Sequence, residues 1–72
     1  MFLFIYTRHA LEKIDSLGFE KEQIEAVIKK GMKWKEENRE VWHANMGNLE
    51  VVFAKSEADM VIITVYEARW QK

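Results

Sequence analysis

The sequence predicts an α+β domain in which two N-terminal helices pack on one face of a four-stranded antiparallel meander. Two observations carry this prediction. Apolar residues recur with helical spacing as far as Gly31 and alternate with polar residues after it, and glycines or turn-forming residues separate most of the predicted elements. Two helices followed by a run of strands are typical of the α+β class.

The first helix is predicted over about residues 8–17. Before it, the apolar segment 2–6 is compatible with a short strand or with an extended lead-in, and the pattern leaves both open. Thr7 suits the N-cap, because its hydroxyl can accept a hydrogen bond from a free amide of the first turn. Gly18 stands where a left-handed C-cap residue belongs. The apolar stripe of this helix consists of Ala10, Leu11, Ile14 and Leu17.

The second predicted helix ends at Gly31, with glutamates near its start and lysines near its end, as the helix dipole favours. From Met32 onward the pattern has the period of two that strands show. A turn is predicted at Asn38-Arg39 and a hairpin turn over residues 45–48. The final segment, 60–66, is apolar on both faces, which is typical of a central strand.

Composition bounds the function. The chain has 72 residues with no cysteine, which excludes disulfides, thiolate metal sites and a thiol nucleophile. Its 11 basic and 12 acidic residues give a net charge of −1, so only a small basic patch could attract nucleic acid. The apolar start is far shorter than the roughly 20 residues of a membrane span and lacks signal-peptide features. We therefore expect one cytoplasmic domain over residues 1–72 that has no membrane partner.

No motif tied to a known mechanism is present, so function must come from scattered polar residues. His9 lies in the first turn of helix one beside Arg8, with Lys13 one turn further on, where it could act as a general acid or base near bound phosphate. The plainer interpretation is a half-exposed histidine at a helix start. Thr64 and Tyr66 share one face of the last strand, and Tyr66 either presents its hydroxyl, stacks on a base or covers the core.

Three further positions attract attention. Mid-strand His43 could join His9 and Glu50 in a zinc site, but the spacing gives this no support, and we expect no metal and no cofactor. Arg69 follows the last strand. Trp70 lies beyond it and hints at dimerisation, because an exposed tryptophan is typical of a contact surface.

With these residues laid out, the sequence resembles a small uncharacterised family, a "domain of unknown function". Its members begin with a His-Ala-Leu-Glu-Arg helix and end in an Ile-Thr-Val-Tyr strand. The matching segments here are 6–14, Gly18-Phe19 and 62–66. By fold, that family is grouped with the RelE/ParE-like toxins and related small ribonucleases. The resemblance implies an RNase-like α+β fold and metal-independent RNA cleavage, in which a base, an acid and phosphate-binding cations share the work.

Carried over residue by residue, the resemblance implies a catalytic role for His9, Lys13 and Tyr66. It implies substrate binding by Arg8, Thr64 and Arg69. Two positions depart from the family pattern: the helical arginine is Lys13 here, and a second arginine is Leu17. Lysine keeps the charge without the bidentate fork that suits phosphate, and leucine keeps neither.

Two hypotheses remain at this point. The first is a toxin-like endoribonuclease that acts on RNA, which the resemblance favours. The second is a non-catalytic interaction module of the same fold, which binds an antitoxin-like protein or a second copy of itself. The balanced net charge and the replaced arginines favour the second hypothesis.

Overall fold

A computed structural model describes residues 3–67, which form two helices and five strands. The elements are β1 (Phe4–Tyr6), α1 (Arg8–Leu17), α2 (Lys21–Lys30), β2 (Met32–Lys35), β3 (Trp42–Met46), β4 (Leu49–Ser56) and β5 (Asp59–Glu67). The strands form one sheet in the order β1-β5-β4-β3-β2. The predicted α+β class with two N-terminal helices is confirmed.

The sheet differs from the predicted four-stranded antiparallel one, because it has five strands and is mixed. β1 joins it as an edge strand parallel to β5, with Phe4 opposite Met60 and Tyr6 opposite Ile62. The other neighbouring strands pair antiparallel. The sequence leaves β1 undecided because its partner lies more than 50 residues away, and no local turn links parallel strands.

Thr7 ties the first helix to this sheet. Its hydroxyl accepts a hydrogen bond from the Ala10 amide at 3.1 Å and also lies within hydrogen-bonding distance of the Ile62 and Ile63 carbonyl oxygens. The predicted N-cap is confirmed, and so is the left-handed C-cap at Gly18, whose φ is 79°. One residue therefore begins α1 and fixes that start against β5.

The helices cover one face of the sheet, and the core lies between the two layers. Its buried members are Ala10, Ile14, Ile24, Val27, Ile28, Ala44, Leu49, Val51, Phe53, Ile62 and Val65. Leu11, predicted to belong to the buried stripe, is 41% exposed. The helix packs through Ala10 and Ile14, so a residue adjacent to this pair turns toward the surface.

We call the other side of the sheet, which neither α1 nor α2 covers, the open face. Successive side chains of a strand point to opposite sides, so the open face carries the residues that alternate with the core. In β5 a bulge interrupts this alternation: Phe53 pairs with Ile62 and Val52 with Thr64, which leaves Ile63 as an extra residue. Because of the bulge, Ile62 and Val65 face the core while Thr64 and Tyr66 lie on the open face.

No helix within residues 3–67 is long and apolar enough to cross a membrane.

Candidate functional site

A histidine held between two glutamates lies on the open face, on the strand next to the β2 edge. Nε2 of His43 lies 2.6 Å from Glu36 Oε2, and Nδ1 lies 2.8 Å from Glu50 Oε2. Three elements contribute to this arrangement: β3 carries the histidine, β4 carries Glu50, and Glu36 directly follows β2. Only 16% of the histidine side chain is exposed. The histidine is therefore fixed in place by a hydrogen bond on each of its ring nitrogens.

This environment favours the charged form of the histidine. Burial disfavours the charge, but the hydrogen bonds to Glu36 and Glu50 outweigh it and raise the pKa of His43 above its ordinary value. A neutral imidazole can donate from one nitrogen only, whereas the imidazolium donates to both carboxylates. The hydrogen bond from His43, aided by Arg39, in turn lowers the pKa of Glu36. Nη1 of Arg39 lies 3.3 Å from Glu36 Oε1.

An aromatic ring covers the histidine. Trp34 pairs with His43 across the β2–β3 ladder, and the two rings stack with centroids 5.2 Å apart and planes inclined by 8°. Trp34 is itself 40% exposed. The stack shields one side of the imidazole and leaves part of the indole open to a ligand.

Beside the histidine lie polar side chains that lack partners. The amide nitrogen of Asn45 and the hydroxyl of Thr64 are buried, and neither has a hydrogen-bond partner among the described residues. Thr64 and His43 lie on either side of Val52, which pairs with both of them across the sheet. Buried polar groups are nearly always hydrogen-bonded, so these two atoms are exceptions among the described residues.

The structure brings together some of the predicted site residues. Thr64 and Tyr66 lie on the open face with the histidine cluster, and Tyr66 pairs with Glu50 across the ladder. Arg8, His9 and Lys13 belong to α1, in the helix layer on the other side of the sheet. No hydrogen bond, ion pair or ring contact within residues 3–67 joins these two groups. Arg69 and Trp70 lie outside the described residues.

Sequence reasoning did not single out Glu36 or Asn45, and it considered His43 with Glu50 only as a zinc site. One signal was available. A two-residue turn at Gly47-Asn48 sets the register of β3 on β4, and it makes Glu50 the diagonal neighbour of His43. Glu36 gave no such signal, because residues 36–41 separate β2 from β3, and a connection of this length does not specify the register of the two strands.

The cluster consists of groups that can hold or transfer a proton. The described part of the chain holds no group of three or more His, Cys, Asp or Glu side chains that could hold a metal ion. The geometry explains this, because the two carboxylates bind different nitrogens of the same ring. A buried histidine with a raised pKa and carboxylates on both nitrogens can instead accept and donate protons.

Together these features define an α+β domain with an acid–base cluster on its uncovered sheet face. The family model of a domain of unknown function, DUF4258, matches residues 6–67, and the chain belongs to this family. The predicted membership of an uncharacterised family is thereby confirmed. No curated protein and no solved structure matches the chain.

Proposed function

We propose that this chain is a cytoplasmic RelE/ParE toxin-like domain that cleaves RNA without a metal, with His43 and Glu50 as its acid–base pair. The observation that carries the proposal is the imidazole held by hydrogen bonds between two carboxylates on the open face. The fold resemblance supports the reaction class, and the cluster supplies the proton-transfer groups. The proposal assigns proton transfer to His43 in place of His9.

The chemistry needs one group to take a proton and one to give it. Glu50 accepts the proton of a ribose 2′-hydroxyl, because its Oε1 has no hydrogen-bond partner among the described residues. The freed 2′-oxygen bonds to the adjacent phosphorus and displaces the 5′-oxygen of the next nucleotide. The His43 imidazolium, which keeps its hydrogen bond to Glu50 through Nδ1, gives the proton of Nε2 to that leaving oxygen. The products are a 2′,3′-cyclic phosphate and a free 5′-hydroxyl.

Substrate must first displace Glu36, because that residue occupies Nε2 of the imidazole. Glu36 lies outside the strands, in the connection between β2 and β3, where a side chain can turn away. Arg39 belongs to the same connection and is 67% exposed, so its guanidinium can move from Glu36 to the phosphate. Exposed Trp34 and Tyr66 offer rings on which bases stack.

The test is an RNA cleavage assay in the presence of a metal chelator. Purified wild-type protein is expected to release fragments that end in a cyclic phosphate, and His43→Ala and Glu50→Gln are expected to reduce the rate at least about 100-fold. His9→Ala is the matched control, a histidine outside the cluster, and is expected to retain activity. Equal background cleavage by all four proteins contradicts the proposal, and loss only in His9→Ala returns the catalytic role to α1.

A second candidate is a non-catalytic interaction domain that binds an antitoxin-like protein or a second copy. The observation that favours it is the exposure of Met32, Trp34 and Tyr66, which are 75%, 40% and 49% exposed on the open face. Sedimentation equilibrium across a wide concentration range tests self-association, and Trp34→Ser should weaken it. A monomer at every concentration, combined with cleavage that depends on His43, rejects this candidate.

A further inference from the structure

The strand β2 forms an edge of the sheet, and its outer side has no partner strand among residues 3–67. The sheet order places β2 last, next to β3 alone. All four of its residues are exposed. An edge of this kind presents unpaired backbone groups that can receive another strand.

The ladder shows which backbone groups point outward. The Glu36 amide donates to the Val41 carbonyl at 2.9 Å, so these opposite residues form a hydrogen-bonded pair. In an antiparallel ladder such pairs alternate with non-bonded ones, so Trp34 and Met32 also bond inward. The backbone groups of Lys33 and Lys35 therefore face away from β3. The two-residue turn that joins β3 to β4 independently indicates the same alternation of inward and outward backbone groups along β2.

The basic and the apolar side chains of β2 lie on opposite sides of the sheet. Lys33 and Lys35 pair with Ala44 and Trp42, which face the helices, so both lysines lie on the helix side. Met32 and Trp34 lie on the open-face side. Both lysines make exposed interactions that a ligand can replace. Nζ of Lys35 lies 3.3 Å from Oε2 of the exposed Glu40, and Nζ of Lys33 donates a hydrogen bond to the Gly31 carbonyl at 3.1 Å.

This charge pattern selects the partner. A second copy added antiparallel through the same edge would set Lys33 opposite Lys35 of its partner, and like charges directly opposite are destabilising. Lysine on an edge strand is a common guard against such self-pairing. A strand with acidic residues at the corresponding positions meets attraction instead.

We propose that β2 binds an extended acidic peptide segment of another protein as a sixth strand of the sheet. Its backbone would bond to the outward groups of Lys33 and Lys35, and its alternate acidic side chains would face the two lysines. Its intervening apolar side chains would lie against Met32 and Trp34. The backbone pairing uses the outer edge of β2 and none of His43, Glu36 and Glu50, and of the residues proposed to contact RNA the peptide meets only Trp34.

The probe is a synthetic peptide of seven residues with blocked ends, in which glutamate and valine alternate. Isothermal titration calorimetry at low salt is expected to show binding that weakens steeply as salt is added. In the complex, NMR should show the Lys33 and Lys35 amides protected from hydrogen exchange. A peptide with lysine in place of glutamate is expected not to bind. Absence of binding by the glutamate peptide, or equal binding of both peptides, overturns the proposal.

Two variants separate charge from strand pairing. Lys33→Glu/Lys35→Glu is expected to weaken the peptide at least about tenfold, whereas Lys29→Glu/Lys30→Glu makes the same charge change on α2 and should have little effect. Lys35→Pro removes one outward amide without removing an inward hydrogen bond, and it should abolish amide protection at Lys33. Equal affinity in both charge variants overturns the proposal. The cleavage assay on the same proteins should be unaffected, so the two proposals fail independently.

Discussion

The two faces of the sheet are built from the same strands and differ in almost every physical property. On the covered face, Val51, Phe53, Ile62 and Val65 are completely buried against the helices. On the open face, His43 and two glutamates form a charged cluster beside two buried polar atoms that have no hydrogen-bond partner within residues 3–67. Phe53 and Val52 are chain neighbours, yet only Phe53 belongs to the core.

The contrast shows how so short a chain accommodates both a core and a site. At this size a domain buries a limited fraction of its surface, so it cannot dedicate separate elements to stability and to chemistry. Alternation along each strand divides the two tasks residue by residue. The effect of a substitution on the free energy of unfolding should therefore depend on the face of the sheet that carries the residue.

The largest effect is expected from a core truncation. Phe53→Ala should lower the free energy of unfolding by about 3–5 kcal/mol, because it leaves a cavity between the sheet and the helices. Tyr66→Ala removes an aromatic ring from the open face, where it is 49% exposed, and should cost less than about 1.5 kcal/mol. Urea unfolding measures both. Similar losses in the two variants would contradict the division between faces.

A smaller loss is expected where the helix layer meets the sheet. A Cβ on Gly31 would lie 2.6 Å from the backbone oxygens of both Asn45 and Val27, so Gly31→Asn must shift backbone and should cost about 1–3 kcal/mol. Gly18→Asn is the matched control. It has a φ of 79°, which asparagine tolerates, and open space around its Cβ position, so thermal unfolding should show a smaller loss. The reverse order would contradict this account.

The open-face cluster should make stability depend on pH. The raised pKa of His43 adds stability that is complete below about 6.5, the ordinary value, and is lost as pH rises through the folded value. The lowered pKa of Glu36 adds stability that is complete above its ordinary 4.5 and is lost as pH falls through the folded value. Unfolding free energy attributable to the cluster should therefore be greatest between about pH 4.5 and 6.5.

Urea unfolding from pH 4 to 9 provides the measurement. His43→Gln should remove most of the decline on the alkaline side, because no imidazolium remains to be deprotonated there. His9→Gln is the matched control, because it replaces a histidine of α1 that lies outside the cluster. An unchanged alkaline decline in His43→Gln would show that the cluster does not set it.

The smallest effect is expected at the turn between β4 and β5, away from both faces. Glu57 has a φ of 54°, a left-handed conformation that costs a non-glycine residue energy. Glu57→Gly should raise the free energy of unfolding by about 0.5–1 kcal/mol. Ala58→Gly, at the next position, does not have a positive φ to relieve and should be destabilising. Destabilisation by Glu57→Gly, measured by thermal unfolding, would contradict this assignment.

Sequence reasoning reached features encoded by nearby residues. The caps of α1 at Thr7 and Gly18 and the turn at Gly47 depend on a few adjacent positions, and all three are present. The parallel pairing of β1 and the bulge at Ile63 depend on contacts distant in sequence, and no local pattern specifies them.

The candidate site divides in the same way. That Thr64 and Tyr66 share a face was predictable from their spacing of two. That Glu36 reaches His43 was not, because it requires the register of β2 on β3. His9 was a candidate because of its neighbours in the sequence, whereas the partners of His43 are close to it only in the folded structure.

The position of β5 has a consequence for how the chain matures. β5 is synthesised after β4 and lies between β1 and β4 in the sheet, so β1 has no partner among the described strands until β5 has emerged from the ribosome. A nascent chain that lacks β5 also lacks Ile62 and Val65, against which α1 packs. The sheet and the core therefore cannot be completed before β5 has been synthesised, and until then the apolar residues of α1 remain open to chaperones and proteases.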